Sequence, residues 1–367
     1  MLTKEKLVNK DNLIKDKLHH YNKLVLWQNV LFVVGIFGIW IKYNFISVIA
    51  LSIYTVTRWT ISGHHICHGG YNDCNEKHLK KKFFGIGIIR KHIDWLDWFL
   101  VEAWSYEHNH LHHCFLNETK DPDLIINARN TQLKKSEFIK NNIFFIFFML
   151  TWRWYYYASN IFHHYKNKNN SKKINLCLLP DAIFKYNITF IQTLLPYFFY
   201  RFLVIPYFWG FIFGNSYFYF SLCNLIASEI LTNIYSFIII VPNHAGKDLC
   251  RFVPEISTYT NTKNDIIYRS VLGSANYLCC NDFEKKWFFD PDIIDFLQGY
   301  LNYQIEHHMF PECSCLEYKL MAKDIKKICE DYDVDYIKEN VFTRFYKLYR
   351  LFVFLDDDMI VIKCKNK

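Results

Sequence analysis

The sequence predicts an all-α integral membrane protein, with four transmembrane helices and a cytosolic helical cap. Three observations carry this. Hydrophobic residues make up 51% of the 367 and aromatics 19%, yet the mean hydropathy is only −0.03. Long Phe/Ile/Leu runs therefore alternate with Lys/Asn-rich stretches, the pattern of a polytopic membrane chain. The lysine-rich segments recur between apolar runs that pair into hairpins with nearly uncharged tips. With Gly at 12 and Pro at 8, a collagen-like, linker-like or disordered chain is excluded.

Residues 1–23 form a basic lead-in, with lysines from Lys4 to Lys23. No apolar core with a cleavage site stands at the extreme start, so a cleaved signal peptide is not expected. Residues 24–41 and 43–62 read as the first transmembrane hairpin, with Trp27, Trp40 and Trp59 at interface level. Residues 190–213 and 217–241 read as the second, turned by Gly214, Asn215 and Ser216. The aromatic run 142–162 contains Arg153. If it crossed the bilayer, the chain after 242 would lie opposite 63–141. Laid in the interface, it leaves the N-terminus, 63–141 and 242–367 on one lysine-rich side, which the positive-inside rule favours. The expected organisation is thus 1–23, a membrane and cap domain over 24–320, and a C-terminal cap extension over 321–367.

The net charge of +8 is spread between the apolar runs. With no zinc-finger, RNP or helix-turn-helix signature, it suits lipid headgroups and argues against nucleic acid. The 12 cysteines are scattered without zinc spacing, which points to free thiols.

Histidine carries the chemistry. His64-His65-Ile66-Cys67-His68 follows the second span, and His64 and His68 share a helix face at i,i+4. Glu107-His108-Asn109-His110-Leu111-His112-His113 puts His108 and His112 on one face, with His113 adjacent. Gln304-Ile305-Glu306-His307-His308 forms the third cluster. Any one such histidine is as readily a surface or hydrogen-bonding residue, but paired histidines recurring three times beside membrane segments are not. A single zinc needs three or four ligands, so seven or more imidazoles suggest two metals. There is no HExxH zinc-protease motif.

The clusters resemble the three histidine boxes of the membrane fatty-acid desaturase and hydroxylase superfamily, here His64-X3-His68, His108-X3-His112-His113 and Gln304-X2-His307-His308. The last, in QIEHHMFP, is similar to that of front-end acyl desaturases. The resemblance covers roughly 24–320. It implies two iron ions on His64, His68, His108, His112, His113, His307 and His308, in a cytosolic cap above four spans. Relatives often take a further ligand from the region of His244, just past the last run. Metal-bound imidazoles usually donate their other N–H to a carboxylate or carbonyl, and Glu107, Glu306, Asp121 and Asp123 are near enough in sequence. His65 and His110 lie off the ligand faces, and Gln304 stands where many relatives have histidine; these are expected around the metals rather than on them. His163 and His164 are expected to be structural or to meet headgroups.

The resemblance further implies O2-dependent insertion of a double bond into the acyl chain of a fatty acid or lipid, held in an apolar tunnel whose mouth Trp95, Trp98 and Trp104 suit. A hydroxylase on the same irons, a non-catalytic scaffold and, more remotely, a zinc hydrolase are the other readings. The first box lacks the HDxxH form, and the second has one more residue before its histidine pair than front-end enzymes usually have. No His-Pro-Gly-Gly haem motif occurs, so electrons are expected from a separate carrier of the cytochrome b5 or ferredoxin type, with Lys80–Lys82 and Lys285–Lys286 as a basic face for it. The family expectation for location is the endoplasmic reticulum membrane.

Overall fold

A computed structural model describes residues 13–86, 90, 94, 101–134, 136–157, 161, 195–254, 263–282, 290–355 and 358–364. Trp95, Trp98, His163, His164, Lys285 and Lys286 lie outside the described residues.

The first apolar runs fold as a helical hairpin. Helix α1 (Leu13–Gly38) passes without a break from lysine-rich to apolar sequence. Helix α2 (Phe45–Thr57) is capped by Asn44, whose side chain accepts from the Ser47 amide. It widens into a π-helical turn at Arg58–Gly63 and continues as α3 (His64–His68). A side chain at Gly35 would collide with Leu51, so glycine there lets α1 and α2 approach closely.

Helix α4 (Val101–Tyr106) runs into a π-helical segment, Glu107–His112. Helices α5 (Ile125–Gln132) and α6 (Phe138–Trp152) follow, α6 ending in a π-helical turn at Arg153–Tyr157. Helix α6 buries Asn141, Phe145, Phe148 and Trp152 and exposes Ile139, Ile143 and Ile146. Its apolar stretch from Ile143 to Trp152 covers only about 15 Å, half the hydrocarbon thickness of a bilayer.

The second hairpin is α7 (Leu195–Phe199), a π-helical turn and α8 (Ile205–Phe213), then α9 (Asn215–Ile240). Gly214 turns the chain at φ +109°, a value only glycine takes freely. Asn224 on α9 donates to the carbonyls of Ile39 and Ile41 at 2.7 and 2.8 Å, and the rings of Trp40 and Phe213 lie 4.8 Å apart. The two hairpin tips are therefore side by side. The helices that leave them, α2–α3 and α9, both end at histidines at the far end.

The remaining chain forms β1 (Cys250–Pro254), α10 (Lys263–Leu272), β2 (Asn276–Tyr277), α11 (Ile293–Leu297), α12 (Gln304–Met309), α13 (Cys315–Asp331), β3 (Lys338–Glu339), α14 (Val341–Val353) and β4 (Ile360–Cys364). Strands β1 and β4 pair in parallel, Cys250 opposite Ile360, and β2 pairs with β3 in parallel. The chain is thus mostly helical rather than all-α. Strands this short have no alternation to read, and their partners are distant in sequence. Helix α13 opens with a capping box between Ser314 and Glu317.

Phe45–His68 and Asn215–His244 are long and apolar enough to cross a membrane, while Phe138–Trp152 and Tyr197–Phe213 are shorter. Trp59 is buried, not at an interface as its sequence position suggested; it packs against Trp152 and Tyr157, with ring centroids 6.2 and 5.4 Å away. Cys67, Cys74, Cys250, Cys279, Cys315 and Cys329 are buried thiols outside any disulfide.

Accessibility tags at the N-terminus, within 63–141 and after 242 should all report the same, cytosolic side. A tag after 242 reporting the opposite side from one in 63–141 would show that 142–162 crosses the bilayer.

Candidate metal centre

Eight histidines converge in two adjoining groups. Ring nitrogens of His64, His68, His108, His113 and His307 lie within 4.8 Å of one another, and so do those of His112, His244 and His308. In the first group His64 Nε2 is 2.9 Å from Nε2 of both His108 and His307. In the second, His308 Nε2 is 3.2 Å from His244 Nε2. The groups touch where the rings of His113 and His308 stack, 4.3 Å between centroids.

Local helix geometry sorts the ligands. On α3, His64 and His68 fall in one group, as i,i+4 spacing requires. In the second box His108 and His112 lie side by side as expected, their rings stacked 5.3 Å apart and grouped with Asp123. The segment is π-helical, and the His113 amide bonds the His108 carbonyl at 3.1 Å. That i→i+5 pitch also brings His113 into the five-histidine group beside His108, while His112 joins His244 and His308. On α12, adjacent His307 and His308 point to different groups.

His244 reaches the centre from a 3₁₀ turn, Val241–His244, at the end of α9. This turn is held from the C-terminal part of the chain. Fully buried Arg344 on α14 donates to the Ala245 carbonyl at 2.8 Å and the Pro242 carbonyl at 3.3 Å, and pairs with Asp248 at 2.7 Å. Arg344 lies outside every histidine box, and no sequence signal marked it.

The surrounding residues divide. Asp121 accepts from His112 Nδ1 at 2.9 Å and is itself held by the amides of Asn117 and Asp123. Tyr318, not singled out from sequence, places its hydroxyl 3.2 Å from His307 Nδ1. Gln304 Nε2 lies 2.9 Å from His244 Nε2 and 3.2 Å from His308 Nε2. His65 instead bonds the Ile61 carbonyl at 3.0 Å, and His110 is exposed, so both stand apart from the two groups. Glu306 is taken by Asn276 and Tyr336 at 2.8 and 2.6 Å. Glu107 is fully buried, and neither carboxylate oxygen has a hydrogen-bond partner among the described residues.

Burial, reinforced by neighbouring imidazoles, drives His108, His113, His307 and His308 well below the ordinary imidazole pKa. They are neutral at pH 7 and keep a lone pair for a cation. Burial alone would lower His112 too, but the Asp121 carboxylate outweighs it and raises the ring. Burial raises Glu107 well above the carboxylate range, with Asp123 and Asp121 adding to it, and Asp123 is raised to about 7.

Beside the histidines lies a cavity of about 60 Å³, walled by Trp59, Trp104, Trp152 and Tyr157 and bounded by His64, His108, His112, His244 and Gln304. Trp104 is part of this wall and not of an entrance: it is buried, stacks on His108 at 4.7 Å and donates to the Tyr157 hydroxyl at 2.8 Å.

The residues fit metal ions. The donors are imidazoles, and several ring nitrogens (His68 Nε2 and both of His113) are buried with no hydrogen-bond partner among the described residues. Unpaired buried donors and acceptors are costly, and a cation would take their lone pairs.

Residues 38–340 match the family model described as Fatty acid desaturase. The chain belongs to the fatty acid desaturase family. No solved structure matches the chain significantly. The family comprises lipid desaturases and related hydroxylases, oxidoreductases of membranes that use iron, and the clustered boxes agree with it. The desaturase match stops at 340, so Arg344 and the helix that carries it lie beyond it.

Arg344→Leu should loosen the His244 turn and weaken the metal held by the three-histidine group by roughly 10–100-fold, the usual effect of losing a supporting contact. Arg344→Lys should recover part of this. Metal titration of the purified variants checks it. Equal affinity in Arg344→Leu and wild type would show that the turn holds without it.

Proposed function

We propose that this protein is an O2-dependent diiron desaturase that introduces a double bond into the acyl chain of a membrane lipid or fatty acid. The observation that carries the proposal is the pairing of two adjoining groups of imidazoles with an aromatic-walled cavity. His64, His68, His108, His113 and His307 would hold one iron, and His112, His244 and His308 the other. Bound there, the irons supply the oxidation that removes two hydrogens from adjacent methylenes while O2 leaves as two waters, with two electrons and two protons taken up.

The chain's own residues position and protect. A methylene offers no polar handle, so side-chain acid–base chemistry cannot select it. Selection falls to shape, and Trp59, Trp104, Trp152 and Tyr157 supply stiff walls that press an acyl segment against His64, His108 and His112 and exclude bulk water. Asp121 fixes the tautomer and tilt of His112, and Tyr318 does the same for His307. Gln304 borders both the cavity and the three-histidine group, where its amide can orient His244 and His308. The electrons would come from a separate carrier docking on the basic cap, where Lys81 and Lys82 are exposed. The reading places the centre on the cytosolic face of the endoplasmic reticulum membrane.

Expression in a desaturase-free host, followed by lipid mass spectrometry with double-bond localisation, should reveal a new alkene. A new alcohol would make the protein a hydroxylase, and an unchanged lipid profile with no bound iron would favour a scaffold. His108→Ala, His112→Ala, His244→Ala and His308→Ala should each lose product and lower iron content. Asp121→Asn should keep the fold and bind iron roughly 10–100-fold more weakly. Full activity with any one of these histidines replaced would remove it from the ligand set.

A further inference from the structure

Helix α14 is apolar on two sides. One side is packed: Arg344, Leu348, Leu351 and Phe352 are buried, and the last three share a core with Phe145, Phe148 and Trp152 of α6. The other side is a stripe at three- and four-residue spacing, Phe342, Phe345, Tyr346 and Tyr349, aromatic at every position. Phe342 and Tyr346 stand 75% and 56% exposed, and Phe345 and Tyr349 are half-buried. Packing in the cap accounts for the first side and not for the second.

Neighbouring helices place the stripe at the edge of the bilayer. The Phe345 ring lies 6.4 Å from that of Phe237, which stands about 10 Å before His244 along α9. Helix α14 therefore crosses α9 near the end of its apolar run. Beside it, α14 runs antiparallel to α6. Phe354 meets Phe138 at 5.4 Å, Tyr349 donates to Asn142 Oδ1 at 2.8 Å, and Phe345 meets Phe145 at 5.9 Å. Both helices bury their inner sides in the same core, so their outer sides adjoin. On α6 that outer side exposes Ile139, Ile143, Ile146 and Phe147. One apolar surface thus extends across both helices and continues the bilayer-facing surface of the second hairpin.

A contiguous apolar surface of this kind is costly in water. Its aromatic composition suits the headgroup layer, where a ring is buried at the acyl boundary and a tyrosine hydroxyl stays wet. The charge nearby is already met: Lys347 pairs with Glu339 at 2.6 Å and Asp248 at 2.8 Å, and the Arg350 guanidinium lies 5.4 Å from the Phe354 ring. We propose that α14 is an interfacial helix lying on the membrane surface, with Phe342 and Tyr346 set among phospholipid headgroups. The proposal takes from the family assignment only that the hairpins stand in a membrane, and it is independent of the reaction. The family match ends at 340, so α14 belongs to the part of the chain outside it.

The test is photocrosslinking of the full-length protein in phosphatidylcholine vesicles, with p-benzoylphenylalanine replacing Phe342, Tyr346 or Lys326 one at a time. Lys326 is the control, because it stands with exposed Lys323, Lys327 and Glu330 on the charged face of α13. Irradiation should add the mass of one phospholipid to the peptides carrying positions 342 and 346, at least tenfold more than at 326. Crosslinks from 342 and 346 to a second copy of the chain, without lipid adducts, would overturn the proposal and make the stripe an interface between copies. No adduct at either position, or equal lipid adducts at 326, would also overturn it.

Discussion

A neutral imidazole has one N–H and one lone pair. His64 Nε2 stands 2.9 Å from Nε2 of both His108 and His307, and a nitrogen cannot be donor to one and bare toward the other while all three rings stay neutral and satisfied. Burial forbids the protonation that would relieve this in water. Crowded lone pairs facing one another are stable only when shared with a cation, so the fold must hold the rings together against their own preference. The rest of the architecture follows from that requirement.

Two hairpins set side by side meet it. Because Asn224 ties the second hairpin to the tip of the first, α2–α3 and α9 deliver their terminal histidines to the same level. The cap then closes the open sides with α12 and the π-helical second box. The π pitch matters because it lets one short segment feed both groups: it keeps His108 beside His112 and also brings His113 round to His108. Arg344 completes the arrangement from outside, by pinning the carbonyls on either side of His244.

What the sequence disclosed follows the range of the interactions. The boxes were legible because ligand spacing is local: their seven histidines meet at the centre, joined by His244, which the resemblance and not the spacing suggested. His65 and His110 belong to neither group. That His113 would join His108 in one group while His112 also reaches the other was not legible, because a π pitch differs from an α pitch by a hydrogen-bond choice that packing decides. Glu107 was expected to support an imidazole, yet it has no hydrogen-bond partner among the described residues; adjacency in sequence does not fix direction on a π-helix. Arg344, Tyr318 and the parallel strand pairs depend on contacts across long stretches of chain, where no pattern in the linear order announces the partner.

Trp59 joins the hairpins to the centre. It lines both the metal cavity and a second cavity between the two hairpins. Its position is set by Arg153, which lies 5.8 Å from the ring, and by stacking near Trp152 and Tyr157. Arg153 is itself fully buried, takes Glu229 through its guanidinium and Asn233 through its amide at 3.0 Å. A buried ion pair in this setting costs desolvation and adds little net stability. What it does supply is register: Arg153 can satisfy both partners on α9 only when the end of α6 sits at one height. That height places Trp152 and Tyr157 in the cavity wall, so the buried charged contact decides where the aromatic surface facing the histidines stands.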